Sequence, residues 1–362
     1  MRILYFSRNY TSHDYRFLAA LAKTSHKLFY LRLEGGGQVL EDRPLPPEVE
    51  LVEWRGGKTL VSLKDGLRLL ADLRRVIRLV KPDLIHTGPI QRSAFLVALA
   101  GFHPLVSMSW GYDLLHDAYI SPFWRWATQY TLRHSDAFVG DCDTIRKLAV
   151  SFGMPDERII TFPWGIDLAH FSPATSQPAN VQTFSLISTR SWEPIYGIDV
   201  IARAFVRAVR ERPDMHLTLL GGGSQYAPLR QILLIGAAFD KVEFPGYVSY
   251  AQLPGFYRSA DVYIGASHSD GTSISLLEAF GCATPAIVPD IPGNREWIIP
   301  GENGWMFPDG DADALAGAIL DAAARRDLLP AMGMKARLVA EARANWEQNF
   351  AQLEKAYTLA LG

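Results

Sequence analysis

Cysteine is nearly absent: Cys142 and Cys282 are the only two in 362 residues, and they fall in different halves. No CxxC pair and no Cys/His metal spacing occurs, so neither a disulfide framework nor a zinc site is expected. Such cysteine usage suits a reducing, cytoplasmic setting. No stretch reaches about 18 consecutive apolar residues, so no segment is expected to span a membrane. The opening MRILYFSRNY lacks the apolar region of a signal peptide and enters a strand directly. The formal net charge is only −2, which removes the basic footprint of a nucleic-acid partner. No G-x-G-x-x-G follows the first strand, which argues against a nicotinamide dehydrogenase. Lysine is missing between positions 148 and 240.

Hydrophobic residues make up 48% of the chain, enough for a sizeable core, and the length suits about two domains. Short β-rich runs alternate with helical patterns. Ile3 to Phe6, Lys27 to Leu33 and Val49 to Trp54 read as strands. Residues 61–80 place Leu63, Leu67, Leu70, Leu73 and Ile77 at helical spacing. The strands KPDLIHTG and PLVSMSW follow, then an aromatic helix over 122–134, the strand AFVG, a helix from Asp143 and the strand RIITFPWG. Alternation of this kind predicts a parallel sheet covered by helices on both faces. Ligands of such sheets bind at loops beyond the strands' carboxyl ends, where His86, Trp110, Gly111 and Asp113 fall.

Residues 171–183, FSPATSQPANVQT, read as a linker. The alternation then restarts, so a second α/β domain is expected. The division is 1–172 for a first domain, 173–340 for a second, and 341–362 for a last helix returning to the first.

Residues 259–289, SADVYIGASHSDGTSISLLEAFGCATPAIVP, carry the sharpest chemistry. A strand runs into a polar loop and then into a helix starting near Ser273. Gly271 permits a tight turn or close approach to a ligand. Amides of Thr272, Ser273 and Ile274 at a helix start make an anion site suited to a diphosphate. Asp270 on the loop and Glu278 on the second turn can reach different parts of one elongated ligand. Carboxylates accept hydrogen bonds from vicinal hydroxyls, which sugars and ribose offer. No Asp-x-Asp pair is placed to hold a divalent ion at that diphosphate, so no metal is called for.

This segment resembles glycosyltransferase family 4, retaining enzymes of the GT-B fold also grouped as glycosyl transferases group 1. Members carry two acids separated by seven residues, before a small-residue stretch. Here these are Asp270 and Glu278, followed by AFGCATPAIV. Asp at the first position departs from the commoner Glu. The resemblance runs from about residue 80 to 310. It implies two doubly wound Rossmann-like domains facing a cleft, with the last helix packing back on the first. It further implies a nucleotide-diphospho-sugar donor, with Asp270 on the donor sugar and Glu278 on the ribose. SLISTRSWEPIYGIDVIARAF (185–205) resembles the segment that sets a basic residue on the donor phosphates, which assigns Arg190 that role. The family's following Lys is replaced by Tyr196-Gly197, so Arg190 acts alone or with Arg295. The glycines of LTLLGGGSQYAPLR put Gly222 and Gly223 beside the nucleotide. Tyr247 and Val248 of VEFPGYVSY would meet the base.

In the first domain, the family's His-Gly-x-Asp loop appears as Trp110-Gly111-Tyr112-Asp113. Trp cannot transfer a proton at neutral pH. Either no protein base acts there, or Asp113 or His86 supplies the polar contact at the reacting centre. Asn9, His13, Asp14, Tyr15 and Arg16 are further candidates for an acceptor cleft. The acceptor implied is a glycan or lipid-linked glycan, as in cell-surface polysaccharide synthesis. Residues 54–81 hold eight basic side chains and two acids. With Trp124, Arg125 and Trp126 they suggest peripheral contact with the inner face of a membrane. Two rival readings remain: a sugar-nucleotide epimerase of related architecture, and a nucleotide-sugar-binding protein without catalysis.

Overall fold

The opening residues Ile3, Leu4, Tyr5 and Phe6 are all buried, as expected of a strand covered on both faces. In the computed structural model they belong to β1 (Arg2–Ser7), an interior strand of a seven-stranded sheet. Its other strands are β2 (Lys27–Arg32), β3 (Val49–Leu51), β4 (Leu84–Gly88), β5 (Leu105–Met108), β6 (Ala137–Gly140) and β7 (Ile159–Thr161). The order is β3-β2-β1-β4-β5-β6-β7, and every pairing is parallel. The strand order reverses between β1 and β4, so their loops form the sheet's switch point. The structure describes residues 1–35, 41, 43–174 and 182–362. Part of the expected linker, 175–181, lies outside these.

The second sheet has six strands: β8 (Phe184–Ser188), β9 (Met215–Leu220), β10 (Val242–Gly246), β11 (Val262–Ile264), β12 (Ala286–Pro289) and β13 (Gly304–Phe307). The order β10-β9-β8-β11-β12-β13 is again parallel throughout. Its switch point lies between β8 and β11. Helix Ile198–Glu211 shows why the layers hold: Ile198, Ile201, Ala202, Phe205, Ala208 and Val209 repeat at helical spacing and are buried against the sheet. Each large side chain so buried contributes about 1.5–3 kcal/mol.

Two compact units result, Met1–Phe162 with Phe350–Gly362, and Pro163–Asn349. Both are Rossmann-like α/β layers. Residues 163–172, counted with the first domain on sequence grounds, group with the second unit, where Ile166 bridges to Asn345. The last helix, Trp346–Leu361, places Leu353, Ala356 and Tyr357 in the core.

Local chemistry shifts some elements from their expected bounds. Helix Ser12–Leu21 starts earlier than its apolar pattern, because Thr11 and Asp14 form a capping box. β3 stops at Leu51, short of the expected Trp54. The chain turns there, and Trp54 Nε1 donates to the Arg32 carbonyl at 2.8 Å. No helix among the described residues is long and apolar enough to cross a membrane.

Candidate functional site

In the second unit, the loops leaving β8 and β11 meet at the switch point. Arg190 follows β8, and its Nη2 lies 2.8 Å from Asp270 Oδ2 on the loop after β11. Both side chains are largely shielded, 15% and 19% exposed. Arg190 Nη1 also donates to Ser273 Oγ at 3.3 Å and Ser275 Oγ at 3.4 Å. Its guanidinium stacks on Tyr196 at 4.2 Å. Burial opposes the Arg190 charge, but Asp270 and the surrounding tyrosines outweigh it and hold the group's pKa up. The Asp270 Oδ2 contact is ionic and poorly directed: that buried oxygen receives no well-aimed hydrogen bond.

Helix Ile274–Gly281 opens with Ser273 in extended geometry at its N-cap. No side chain caps it, so its first amides point toward the loop. Gly271, Thr272 and Ser273 are buried, and Ile274 is half-buried. A close approach shapes this loop. A Cβ on Gly293 would fall 2.1 Å from the Gly271 carbonyl oxygen, so helix Pro292–Arg295 can support the loop only with glycine there. One turn on, Glu278 is buried, and its Oε2 accepts from Tyr257 Oη at 2.8 Å. Tyr257 Oη in turn lies 2.8 Å from Thr189 Oγ1. Burial, then the Glu278 charge, pushes the Tyr257 phenol well above its ordinary value, so it stays a donor. Tyr263 Oη meets Ser275 Oγ at 2.8 Å.

The glycine loop after β9 sits beside these groups. Trp192 N donates to the Gly222 carbonyl at 2.9 Å, and Gly221 N to that of Gly246 at 2.8 Å. Gly223, with φ of +157°, leads into Ser224, whose N and Oγ both donate to Glu193. Those bonds hold the Glu193 carboxyl below its ordinary range. Tyr247 is exposed and donates to the Gly222 carbonyl at 3.3 Å, while Val248 is half-buried against the core. Asp270, Gly271, Thr272, Ser273, Ile274 and Arg190 thus lie together. Glu278 is one turn beyond, and Gly222, Gly223, Tyr247 and Val248 edge the neighbouring loops.

Arg295 lies outside this cluster of contacts. Its guanidinium is held by Asp290 in an exposed pair at 2.6 Å. Asn294 is buried, bonding the Pro289 carbonyl at 2.9 Å. A separate cavity of about 370 Å³ opens at the amino ends of β8, β11 and β12, lined by Ser185, Asp261 and Pro285. Its guanidiniums serve the fold, Arg326 bound to Asp261 and Thr183, and Arg258 to the Ser172 carbonyl.

In the first unit, a pocket of about 240 Å³ lies at the switch point. Asn9, His13 and Asp14 line it after β1, and Trp110, Tyr112 and Asp113 after β5. His13 packs against Trp110, ring centroids 5.1 Å apart. Asp113 is buried and spends its oxygens on the loop itself. Oδ1 accepts from Ser109 Oγ at 2.5 Å and Trp110 N at 3.1 Å, and Oδ2 from Ile90 N at 2.9 Å. Burial raises its pKa to about 6 against those bonds. Asp14 is raised to about 6 for the same reason, while accepting from Thr11 N at 2.8 Å and Thr11 Oγ1 at 2.6 Å.

His86 does not join this pocket. It lies in the middle of the core, 0% exposed, with Tyr5 at 5.0 Å, Phe17 at 5.8 Å and Tyr357 at 5.6 Å around its ring. Its Nδ1 bonds Tyr357 Oη at 2.8 Å. Burial lowers its pKa to about 3, so the imidazole is neutral at physiological pH. The expectation that His86 meets a substrate is corrected: its β-strand position faces the helix layer, and packing fixes it. Sequence reasoning also passed over Tyr257, Tyr263, Thr189 and Ser275, whose hydroxyls hold Glu278 and Arg190. Their only signal is polar or aromatic character beside the motif.

Comparison with known proteins agrees with this architecture. Residues 11–165 match the model of the glycosyl transferase 4-like domain, and 183–325 that of the glycosyl transferases group 1. Together with the fold, these matches place the chain among the GT-B glycosyltransferases. It is 29% identical over 233 residues to a D-inositol 3-phosphate glycosyltransferase of Geodermatophilus obscurus, covering 60% of this chain and 51% of that one. It is 30% identical over 152 residues to the GtfA subunit of a UDP-N-acetylglucosamine–peptide N-acetylglucosaminyltransferase from Streptococcus pneumoniae, covering 42% and 29%. The chain thus spans about half or less of these curated relatives. Among solved structures, sucrose-phosphate synthase from Thermosynechococcus elongatus superposes with a TM-score of 0.82 at 18% identity, over 99% and 98% of the two chains. Anabaena HepE in complex with UDP-glucose gives 0.82 at 18% identity, over 99% of each.

Proposed function

We propose that this glycosyltransferase is a retaining enzyme of family 4. It moves a sugar from a nucleotide-diphospho-sugar to a hydroxyl of a glycan or lipid-linked glycan, in the synthesis of cell-surface polysaccharide or glycoconjugate in the cytoplasm. The observation that carries this reading is the cluster of Arg190, Asp270 and the uncapped start of helix Ile274–Gly281, with Glu278 on the same helix. It offers a cation and amides for a diphosphate, and two carboxylates for hydroxyls. The UDP and UDP-glucose named for the HepE complexes make uridine the first base to test.

In this reading Arg190 and the amides at Thr272 to Ile274 receive the diphosphate. The Asp270 carboxylate, its Oδ2 held by Arg190, accepts from a sugar hydroxyl through its accessible side. Glu278, held by Tyr257, accepts from the ribose. Gly222, Gly223, Tyr247 and Val248 border the nucleoside. The anomeric carbon's bond to the diphosphate oxygen breaks as its bond to the acceptor oxygen forms on the same face. The acceptor's proton passes to the departing phosphate oxygen. Aimed N–H groups and Arg190 stabilise the charge that develops there, with no obligatory metal. The first-unit pocket takes the acceptor, and Asp113 acts by fixing the loop of Trp110 and Tyr112.

A thermal-shift screen of nucleoside diphosphates and their sugar conjugates, without added metal, tests the donor site. Binding to the folded state raises the melting temperature by linkage. Stabilisation by UDP that is lost in Arg190→Ala supports the reading. No stabilisation by any diphosphate at millimolar concentration overturns it. Product analysis with donor alone separates transfer from epimerisation, which needs no acceptor.

A further inference from the structure

We propose that the first-unit pocket takes an acidic sugar, a pyranose bearing a carboxylate or phosphate, with its ring against Trp110 and Tyr112 and its charge at Arg92 and Arg8. This deepens the transfer reading and rests on its assignment of that pocket to the acceptor. The pocket is about 240 Å³, room for one sugar residue, and the loop after β5 supplies its aromatic wall. Asp113 fixes that loop, accepting from Trp110 N at 3.1 Å. His13 and Phe17 pack against the Trp110 ring at 5.1 and 6.3 Å, and Tyr112 stacks on His116 at 4.6 Å. Trp110 stays half-buried, Tyr112 is exposed, and both line the pocket. The face of an aromatic ring carries partial negative charge, which suits the polarised C–H groups of a pyranose.

Arg92 sets the charged end. Pro89 lines the pocket, and the π-helical turn Ile90–Ala94 follows it directly. Arg92 is half-buried on that turn, and its guanidinium stacks on Trp124 at 4.7 Å. Its Nε is buried and unbonded, and among the described residues no carboxylate meets the group at ion-pair distance. Burial, then the charge of Arg8, pushes the Arg92 pKa down, against the pull of Glu34 and Asp117. Arg8 itself lines the pocket, and its Nε donates to buried Glu34 at 2.8 Å, which leaves its Nη groups for a ligand. Two guanidiniums that feel each other, one of them shielded and unpaired, are costly without an anion.

The carboxylates nearby do not fill that role. Asp14 is spent on Thr11, Asp113 on Ser109 and the Trp110 amide, and Glu34 on Arg8, while Asp117 lies 3.3 Å from His116. An oxyanion accepts from the guanidinium fork in two parallel bonds, and carboxylate and phosphate both fit it. A neutral sugar would use the aromatic wall and leave Arg92 uncompensated. A bare anion would use Arg92 and leave the wall without a role. An acidic sugar uses both.

The test is titration of the full chain with glucose, glucuronate, glucose 6-phosphate and inorganic phosphate, followed by tryptophan fluorescence and melting temperature. The expected result is binding of an acidic sugar at least about tenfold tighter than glucose, the range for a hydrogen bond to a charged group. The stronger of glucuronate and glucose 6-phosphate tells carboxylate from phosphate. Arg92→Gln should remove the preference over glucose, and Trp110→Ala should weaken every sugar several-fold. The preference should persist in Arg190→Ala, which lacks the cation of the second unit. Equal binding of glucose and both acidic sugars overturns the proposal, as does no binding of any sugar at millimolar concentration. Inorganic phosphate held as tightly as the acidic sugars also overturns it, as does a preference that survives Arg92→Gln or vanishes in Arg190→Ala. The wild-type comparison stands even where a variant does not fold. Stabilisation by UDP is read separately, so failure here leaves the donor site standing.

Discussion

Arg190 Nη2 lies 2.8 Å from Asp270 Oδ2, tying the loop after β8 to the loop after β11 across the switch point of the second sheet. Removing either partner leaves the other shielded and uncompensated, but the two losses differ in kind. Arg190→Ala removes the cation from the diphosphate and should weaken UDP binding by about 10–100-fold, the range for a hydrogen bond to a charged group. Asp270→Asn leaves Arg190 facing the phosphates, so UDP affinity should hold while turnover of the sugar nucleotide falls strongly. Isothermal titration with UDP and steady-state transfer rates separate the two. Equal loss of UDP affinity in both variants would remove the division of labour.

Glu278 and Tyr257 form the second pair. Glu278→Gln should lower turnover strongly, because an amide is a poorer acceptor for two ribose hydroxyls. Tyr257→Phe keeps the carboxylate but removes the donor that orients it at 2.8 Å. Its expected effect is smaller, about tenfold or less in kcat/KM, with a stability cost of about 1 kcal/mol. Near-wild-type rates in Glu278→Gln would sink the ribose role.

His86 predicts a pH effect on stability rather than on rate. Its folded pKa is lowered to about 3, below the ordinary value of 6.5. Below pH 6.5 the unfolded chain takes up a proton that the folded chain refuses, so this residue costs stability progressively as pH falls from about 6.5 toward 3. Asp14 and Asp113, raised to about 6, act with the opposite sign: their cost is present above pH 6 and relieved as pH falls toward 4. Denaturant melts of wild type and His86→Gln across pH 4–7 isolate the histidine. The variant should lose less stability on acidification, and kcat at neutral pH should change less than in Asp270→Asn or Glu278→Gln. Identical pH slopes would show His86 protonates when folded.

Much of this was legible in the sequence, and the reason is periodicity. Buried parallel strands are apolar runs, and Ile3 to Phe6, AFVG and PAIVP stand out as such. The Asp270 to Glu278 segment was legible because loop glycine, helix start and paired acids occur together locally. What failed was three-dimensional adjacency. His86 sits at a strand's end in sequence, yet Phe17 and Tyr357 close over it from elements far along the chain. Arg295 pairs with Asp290, a contact that no local pattern signals. Helices Ala312–Ala324 and Leu329–Arg343 are hard to read from sequence, since alanine-rich surfaces carry a weak apolar stripe. Tyr257 is 21 residues from the Glu278 it orients, beyond any local pattern.

Gly293 gives the last prediction. Its position lets helix Pro292–Arg295 press against the carbonyls of Asp270 and Gly271, where a Cβ would fall 2.6 and 2.1 Å away. Both contacts are backbone, so no side chain can swing aside, and the loop itself must move. Gly293→Ala should therefore displace Asp270 from Arg190 and cost about 1–3 kcal/mol of stability, the range for overpacking a tight site. Its effect on function should resemble that of Asp270→Asn more than Arg190→Ala, because the cation stays in place. Sugar-nucleotide turnover should drop while UDP still raises the melting temperature. Gly317, whose Cβ would meet nothing within 4 Å, supplies the control: Gly317→Ala should leave both readings unchanged. If Gly293→Ala matches that control, the loop is not held by this contact, and the placement of Asp270 must rest on Arg190 alone.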